Sequence, residues 1–110
     1  NSNNILKDVL KKKKLKKLSY EQEFKKLFNG AIEAYKRHEF KTSYNSFQSV
    51  TFGHKIENTE LAFNAKYFLA IHLMYGLGVS KNPNEALRLF KEVSESNSKH
   101  KNDAKEHLKN

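Results

Sequence analysis

Hydrophobic residues recur along most of this chain at the period of an α-helix, in stretches separated by short polar segments. The clearest stripe begins at Phe24 and continues through Ala31 to Tyr35. The same periodicity predicts helices over about 20–37, 40–50, 59–75, 83–96 and from 102 onward. Residues 5–18 also favour a helix, but the stripe of Ile5, Leu6, Val9 and Leu10 does not continue to Leu15 and Leu18. This first segment is interpreted either as a helix stabilised by packing or as a partly mobile arm.

Capping signals predict where these helices begin. Ser19 is followed three residues later by Gln22, a capping-box pattern that predicts a helix start at Ser19. Asn82 precedes Pro83, which fits the first helical position because its missing N–H costs nothing there. The other starts are expected at Asn58 or Thr59 and at Asn102 or Asp103. His38-Glu39 predicts a tight connection, and the glycines of 76–83 predict a longer one.

The second half of the chain nearly repeats the first. A shift of 39 residues relates Ala70 to Ala31. A shift of 43 relates three later positions to earlier ones: Ala86 to Ser43, Phe90 to Phe47 and Val93 to Val50. A forward shift of 39 takes Ala65 and Leu69 to Ala104 and Leu108. A longer loop between the helices of the second unit explains why the two shifts differ by four residues. A period in this range is typical of stacked helical hairpins.

The second unit resembles the Sel-one-like repeat, a relative of the tetratricopeptide repeat. The resemblance rests on Gly76-Leu77-Gly78-Val79 with its flanking alanines. The chain departs from the family pattern at Ala70, where glycine is usual, at Leu73, where tyrosine is usual, and at Leu89-Phe90, where Trp-Tyr is frequent, but each keeps a small or apolar character. The first unit resembles a plain tetratricopeptide repeat more loosely, with His38 where glycine is usual and Gly30 where leucine is usual. Ala31, Ala70 and Ala86 would let helices approach closely, while Phe40, Phe47 and Phe90 fill the spaces between hairpins.

The expected fold is all-α: a right-handed α-solenoid of stacked antiparallel helical hairpins, preceded by a basic N-terminal helix. Residues 1–18 are assigned to the basic helix or arm and residues 19–110 to the helical-repeat domain. Within that domain we expect a tetratricopeptide-like hairpin over about 20–51, a Sel-one-like hairpin over 58–97 and a capping helix over 102–110.

In tetratricopeptide proteins the first helix of each hairpin lines a concave surface. Carried over by position, the resemblance implies a binding face for a peptide or helix of a partner protein, as in a scaffold or adaptor. The alternative is that the same side chains pack inside the chain or against a neighbouring repeat. The implied partner-binding residues are Lys25, Phe28, Ile32, Tyr35, Lys36, Asn64, Tyr67, Ile71, Met74 and Tyr75.

Positive charge is concentrated at the N-terminal end. Of the net charge of +9, residues 1–18 carry +6, from seven lysines and Asp8, which leaves +3 for the remaining residues. This basic cluster admits four interpretations: a nuclear-import signal, a contact for anionic lipid, a nucleic-acid arm or a solvated linker. No aromatic residue is interleaved with it, which weakens single-strand recognition by stacking. Its members are Lys11, Lys12, Lys13, Lys14, Lys16 and Lys17.

Two repeats and a fraction are fewer than the roughly three that bury a continuous core. Leu6, Val9, Leu10 and Leu18 are expected to cover the open end, within the chain or in a homo-oligomer. The start at Asn-Ser-Asn-Asn without methionine indicates a fragment or a processed form. A self-associating structural element is therefore an alternative function, beside a module that binds nucleic acid or an anionic surface.

Candidate chemistry is sparse. There is no cysteine, so disulfides and thiolate metal sites are excluded. His100 and His107, with Asp103 between them, lack the spacing of a metal site, and His72 is interpreted as a hydrogen-bonded residue at the edge of the core. No motif places a nucleophile at a strained turn. We therefore expect no enzyme activity, cofactor or small-molecule substrate, and an intracellular, cytoplasmic or nuclear protein that does not span a membrane.

Overall fold

A computed structural model describes residues 2–53 and 56–109, without the side chains of Ser2, Lys17 and Leu18. No strand occurs within these residues, and the expectation of an all-α fold is confirmed. Five helices follow one another: α1 (Ser2–Lys36), α2 (Phe40–Thr51), α3 (Glu60–Tyr75), α4 (Pro83–Ser94) and α5 (Lys101–Leu108).

The first helix is continuous over 35 residues, so the prediction of a helix start at Ser19 is wrong. Neither proline nor glycine interrupts the sequence around Ser19, and the lysine, leucine and glutamate neighbours are good helix formers. One serine in a helix interior costs only about 0.5 kcal/mol, which the cooperativity of the flanking turns exceeds. The basic N-terminal segment and the part of α1 that packs on the other helices are therefore one continuous helix.

The connection between α1 and α2 is as short as predicted. His38 has a φ of 62°, a left-handed conformation that reverses the chain after the last turn of α1. The amide of His38 donates to the Tyr35 carbonyl at 3.0 Å, and that of Glu39 donates to the Ala34 carbonyl at 2.9 Å. These bonds satisfy carbonyls that the end of α1 would otherwise leave unpaired.

Two of the predicted N-caps are confirmed by hydrogen bonds. The Thr59 hydroxyl oxygen accepts from the Ala62 amide at 3.3 Å at the start of α3. At the start of α4 the Asn82 side-chain oxygen accepts from the Glu85 amide at 3.2 Å, and Pro83 occupies the first turn. The helix ends two residues before the predicted Ser96.

The start of α5 is not at Asn102 or Asp103, and that prediction is wrong. His100 is the cap, and its carbonyl accepts from the Ala104 amide at 2.9 Å. The buried hydroxyl of Ser98 accepts from the His100 amide at 3.0 Å and donates to Asn64 on α3 at 2.5 Å. Ser98 thus joins the residue that precedes α5 to a side chain on α3, and only the bond within the connection is local in sequence.

Two clusters of buried side chains form the core. One surrounds Phe47 and joins α1, α2 and α3, and the other surrounds Phe90 and joins α3, α4 and α5. The alanines expected at close helix contacts, Ala31, Ala70 and Ala86, are all 0% exposed. The positions related by shifts of 39 and 43 residues are buried in both units, except Leu108, which is 37% exposed.

Each helix packs chiefly on the next one in the chain, and α1 also touches α3. The molecule is elongated, with extents of 61 × 28 × 18 Å. The α1 residues that enter the core clusters all lie at Phe24 or beyond. The earlier turns of α1 therefore extend past the packed body.

Candidate functional site

A cavity of about 550 Å³ opens between α1 and α3. The connection before α3 and the one before α5 contribute the rest of its wall. Its lining residues are Glu21, Lys25, Phe28, Asn29, Ile56, Thr59, Glu60, Leu61, Asn64 and Lys99.

The apolar part of this cavity consists of Phe28, Ile56 and Leu61. Phe28 is held edge-on against Phe47, with ring centroids 5.6 Å apart. Ile56 is 1% exposed, and its amide donates to the Gly53 carbonyl at 3.0 Å, which fixes the connection that carries it. The apolar wall is therefore built on the core and is formed before any ligand arrives.

The polar part of the cavity carries charges of both signs. Lys25 and Lys99 face it together with Glu21 and Glu60. Asn64 is 7% exposed, and its side-chain oxygen accepts from the Ser98 hydroxyl at 2.5 Å. An amide oxygen has two lone pairs and the amide nitrogen carries two N–H groups, so Asn64 can both donate to a ligand and accept from it. The cavity thus combines an apolar wall with a few oriented polar groups, which is typical of a binding site.

Three of the ten residues implied by resemblance, Lys25, Phe28 and Asn64, line this cavity. The other seven lie elsewhere. Lys36 pairs with Glu33 at 3.6 Å near the end of α1, and Tyr75 is 54% exposed at the end of α3. The remaining five are partly buried against the two core clusters: Ile32, Tyr35, Tyr67, Ile71 and Met74.

The two tyrosines with the most aromatic contacts pack against other rings of the chain. The ring of Tyr35 meets those of Phe68 and His72, with centroids 5.8 and 5.4 Å away. Tyr67 stacks on His100 at 4.6 Å, and burial raises the pKa of its hydroxyl. Truncating either ring would therefore disturb packing as well as any binding face.

Sequence reasoning missed the partner of His72, although it predicted a hydrogen-bonded histidine. The Ser43 hydroxyl lies 2.6 Å from Nε2, and the Phe68 carbonyl lies 2.6 Å from Nδ1. A carbonyl only accepts, so Nδ1 carries the proton and Nε2 accepts from Ser43. Both side chains are 0% exposed, which leaves a substrate no route to this hydroxyl. No spacing rule links positions 29 residues apart in two different helices.

We expect stability to fall as the solution becomes acidic, because burial lowers the pKa of His72 below its ordinary 6.5. The unfolded chain then binds more protons than the folded chain in mildly acidic solution, so the free energy of unfolding decreases as pH falls below about 6.5. His100, whose pKa is also lowered by burial, acts in the same direction. Urea unfolding between about pH 7.5 and pH 5 measures this slope.

The His72→Gln variant should show a shallower pH dependence than the parent chain. His38→Gln is the matched control, since His38 is exposed in the first connection. Equal slopes for His72→Gln and the parent would show that His72 does not stay neutral in the folded chain.

The described lysines of the basic cluster, Lys11–Lys14 and Lys16, are all exposed, while the side chain of Lys17 lies outside the described residues. The expectation that this segment covers an open end of the core within one chain is wrong for the side chains that the structure describes. Leu6, Val9 and Leu10 are exposed, and the side chain of Leu18 lies outside what the structure describes. These aliphatic side chains precede Phe24, the first α1 residue that joins a core cluster, and the described ones are not members of either cluster.

His100 and His107 face aromatic rings. His107 stacks on Phe90 at 4.3 Å, and His100 lies 3.8 Å from Asp103. Within residues 2–53 and 56–109 there is no group of three metal-ligating side chains.

Comparisons of this chain with protein-family models, with curated proteins and with solved structures give no match. The part of the chain that the structure describes contains no helix with the length and hydropathy needed to cross a membrane. Its fold and candidate site define the chain as an all-helical protein with a cavity between its first and third helices.

Proposed function

We propose that this chain is a protein-binding module whose cavity between α1 and α3 receives an apolar side chain of a partner peptide or helix. The observation that carries the proposal is the cavity itself, about 550 Å³ with Phe28, Ile56 and Leu61 on one side and polar groups around them. A peptide fits such a site because side chains fill the apolar part while its backbone meets oriented donors and acceptors.

A solenoid of stacked hairpins is the architecture proposed for this module. Equivalent burial in the two units supports it: Phe47 and Phe90, related by a shift of 43, are both 0% exposed. His38 also supports it, because its left-handed φ of 62° falls where glycine is usual in the repeats that the chain resembles. In this arrangement α1 and α3 are the first helices of successive hairpins, the ones that line the concave face in that family.

We propose that the polar residues of the cavity also serve binding and not catalysis. The serine–histidine pair of α2 and α3 is closed off from solvent, whereas the residues that reach the cavity are lysine, glutamate, asparagine and threonine. Such groups orient a ligand and set its specificity.

A library of random linear peptides selected on the full chain tests this proposal. The affinity of an enriched peptide is then measured by calorimetry for the parent, for Leu61→Ser and for Leu87→Ser. Leu61 lines the cavity, whereas Leu87 lies on α4 and is 37% exposed. Loss of one half-buried leucine contact is expected to weaken binding about tenfold in Leu61→Ser and to leave Leu87→Ser within about twofold of the parent.

Thermal unfolding of both variants shows whether the loss reflects binding or folding. The proposal is overturned if no peptide is enriched, or if the two serine variants bind equally well while Leu61→Ser remains folded.

A further inference from the structure

The early turns of α1 present an aliphatic face to solvent. Four side chains, Ile5, Leu6, Val9 and Leu10, are 66%, 58%, 43% and 56% exposed. At 3.6 residues per turn they fall within an arc of about 140°. A contiguous exposed apolar surface of this kind marks a contact site.

Positive charge accompanies this apolar face. Lys7 and Lys11 project from the side of α1 opposite the arc. In the turns that follow the arc, lysines surround the helix: Lys12, Lys13, Lys14 and Lys16. Asp8 is the only acidic residue of residues 3–16, so six lysines there give a charge of +5. The side chains of these lysines are all exposed.

We propose that the segment 3–16 of α1, here called the basic amphipathic segment, docks on an anionic lipid surface. The headgroup layer supplies negative charge for the lysines, and the boundary with the acyl chains accepts the four aliphatic side chains. Lysines beside the apolar arc can extend their stems along it and keep the ammonium groups among the headgroups.

A second copy of this chain fits the segment poorly. Lysines occupy five of the six positions from 11 to 16, so they point to every side of the helix. Pairing two such segments would bring like charges together along the contact. Leu15, 55% exposed, lies on the side away from the apolar arc and does not extend it into a dimer seam.

Duplex nucleic acid would contact the lysines of the basic amphipathic segment but not its aliphatic side chains. Phosphates can pair with the lysines, but they offer nothing to Ile5, Leu6, Val9 and Leu10. Segment 3–16 also holds no aromatic or arginine residue to stack on a base. An anionic lipid surface is the partner that meets both the four aliphatic side chains and the lysines that surround the helix after them.

Co-sedimentation of the full chain with vesicles tests the proposal. The probes are phosphatidylcholine vesicles with about one third phosphatidylserine and vesicles of phosphatidylcholine alone. The chain is expected to pellet with the first and stay in solution with the second. Changing Lys11, Lys12, Lys13 and Lys14 to glutamine should lower the partition coefficient by more than 100-fold, at about fivefold per lysine.

A matched control carries four lysine-to-glutamine changes on the body, at Lys41, Lys91, Lys101 and Lys105, all exposed. It has the same net charge as the first variant and should keep vesicle binding within about threefold of the parent. Equal loss in both variants would show that total charge, not the segment, attracts the vesicles, and would overturn the proposal.

The apolar half of the proposal has its own test. Val9→Ser combined with Leu10→Ser leaves the charge unchanged and is expected to weaken binding about tenfold. The chain contains no tryptophan, so Val9→Trp introduces one reporter, whose emission should shift to the blue with the anionic vesicles. None of these positions belongs to a core cluster, so the variants should fold as the parent does.

Three outcomes would overturn the proposal. One is binding to a short DNA or RNA duplex with no binding to the anionic vesicles. Another is vesicle binding that the serine pair leaves unchanged. The third is a stable dimer in light scattering that Val9→Ser with Leu10→Ser dissociates, since a second copy would then cover the apolar face.

Discussion

Replacing Gly78 by alanine is expected to lower the free energy of unfolding by about 3 kcal/mol. Gly78 has a φ of 68°, where an L-residue is strained by about 1–2 kcal/mol. A Cβ atom there would also lie 2.5 Å from the Phe40 carbonyl oxygen and from the Lys41 amide nitrogen. These are backbone atoms at the start of α2, so relief requires the connection and the helix to move apart. Chemical denaturation at neutral pH measures the effect.

Two other glycines are controls for this prediction. Gly76 also has a φ of 68°, but a Cβ there meets the Lys81 side chain, which can move, so Gly76→Ala should cost only about 1 kcal/mol. Gly30 lies within α1 with no atom within 4 Å of a Cβ, and Gly30→Ala should stabilise the chain by about 0.5–1 kcal/mol. Equal costs at Gly76 and Gly78 would show that the packing against α2 is unimportant.

Phe47→Ala is expected to have the largest effect of a single side chain, about 3–5 kcal/mol of destabilisation. Phe47 is 0% exposed, and its ring stacks on Phe68 at 5.0 Å. It also meets Phe28 and His72, each with centroids 5.6 Å away. Truncation would leave a cavity where α1, α2 and α3 join, and a domain of this size has only about 5–15 kcal/mol of stability.

The matched control is Phe52→Ala, just after the end of α2, where the ring is 56% exposed. It should change stability by no more than about 0.5 kcal/mol. If Phe47→Ala does not fold, Phe47→Leu keeps most of the volume and should still cost about 1–2 kcal/mol. A Phe47→Ala chain as stable as Phe52→Ala would contradict the assignment of this ring to the centre of the core.

Much of the candidate cavity could not have been derived from the chain alone. Positional resemblance placed Lys25, Phe28 and Asn64 on a common face, and the structure brings these three to one cavity. It did not reveal Ile56, which belongs to an irregular connection, or Lys99, which follows α4. Residues in connections have no periodicity that predicts where they point, because packing sets their backbone path.

The sequence by itself determined most of the helical stretches, the cap at Asn82, a cap at Asn58 or Thr59, and the buried repeat positions such as Phe47 and Phe90. These depend on local propensity, capping hydrogen bonds and periodic hydrophobicity, which neighbouring residues encode. Only the tertiary structure decided the bond between Ser98 and Asn64 beside the start of α5 and the pairing of Ser43 with His72. Each joins side chains 29 or 34 positions apart, which no local pattern relates. The passage of α1 through Ser19 instead follows from the helix propensity of its neighbours and the cooperativity of the flanking turns, which exceed one capping preference.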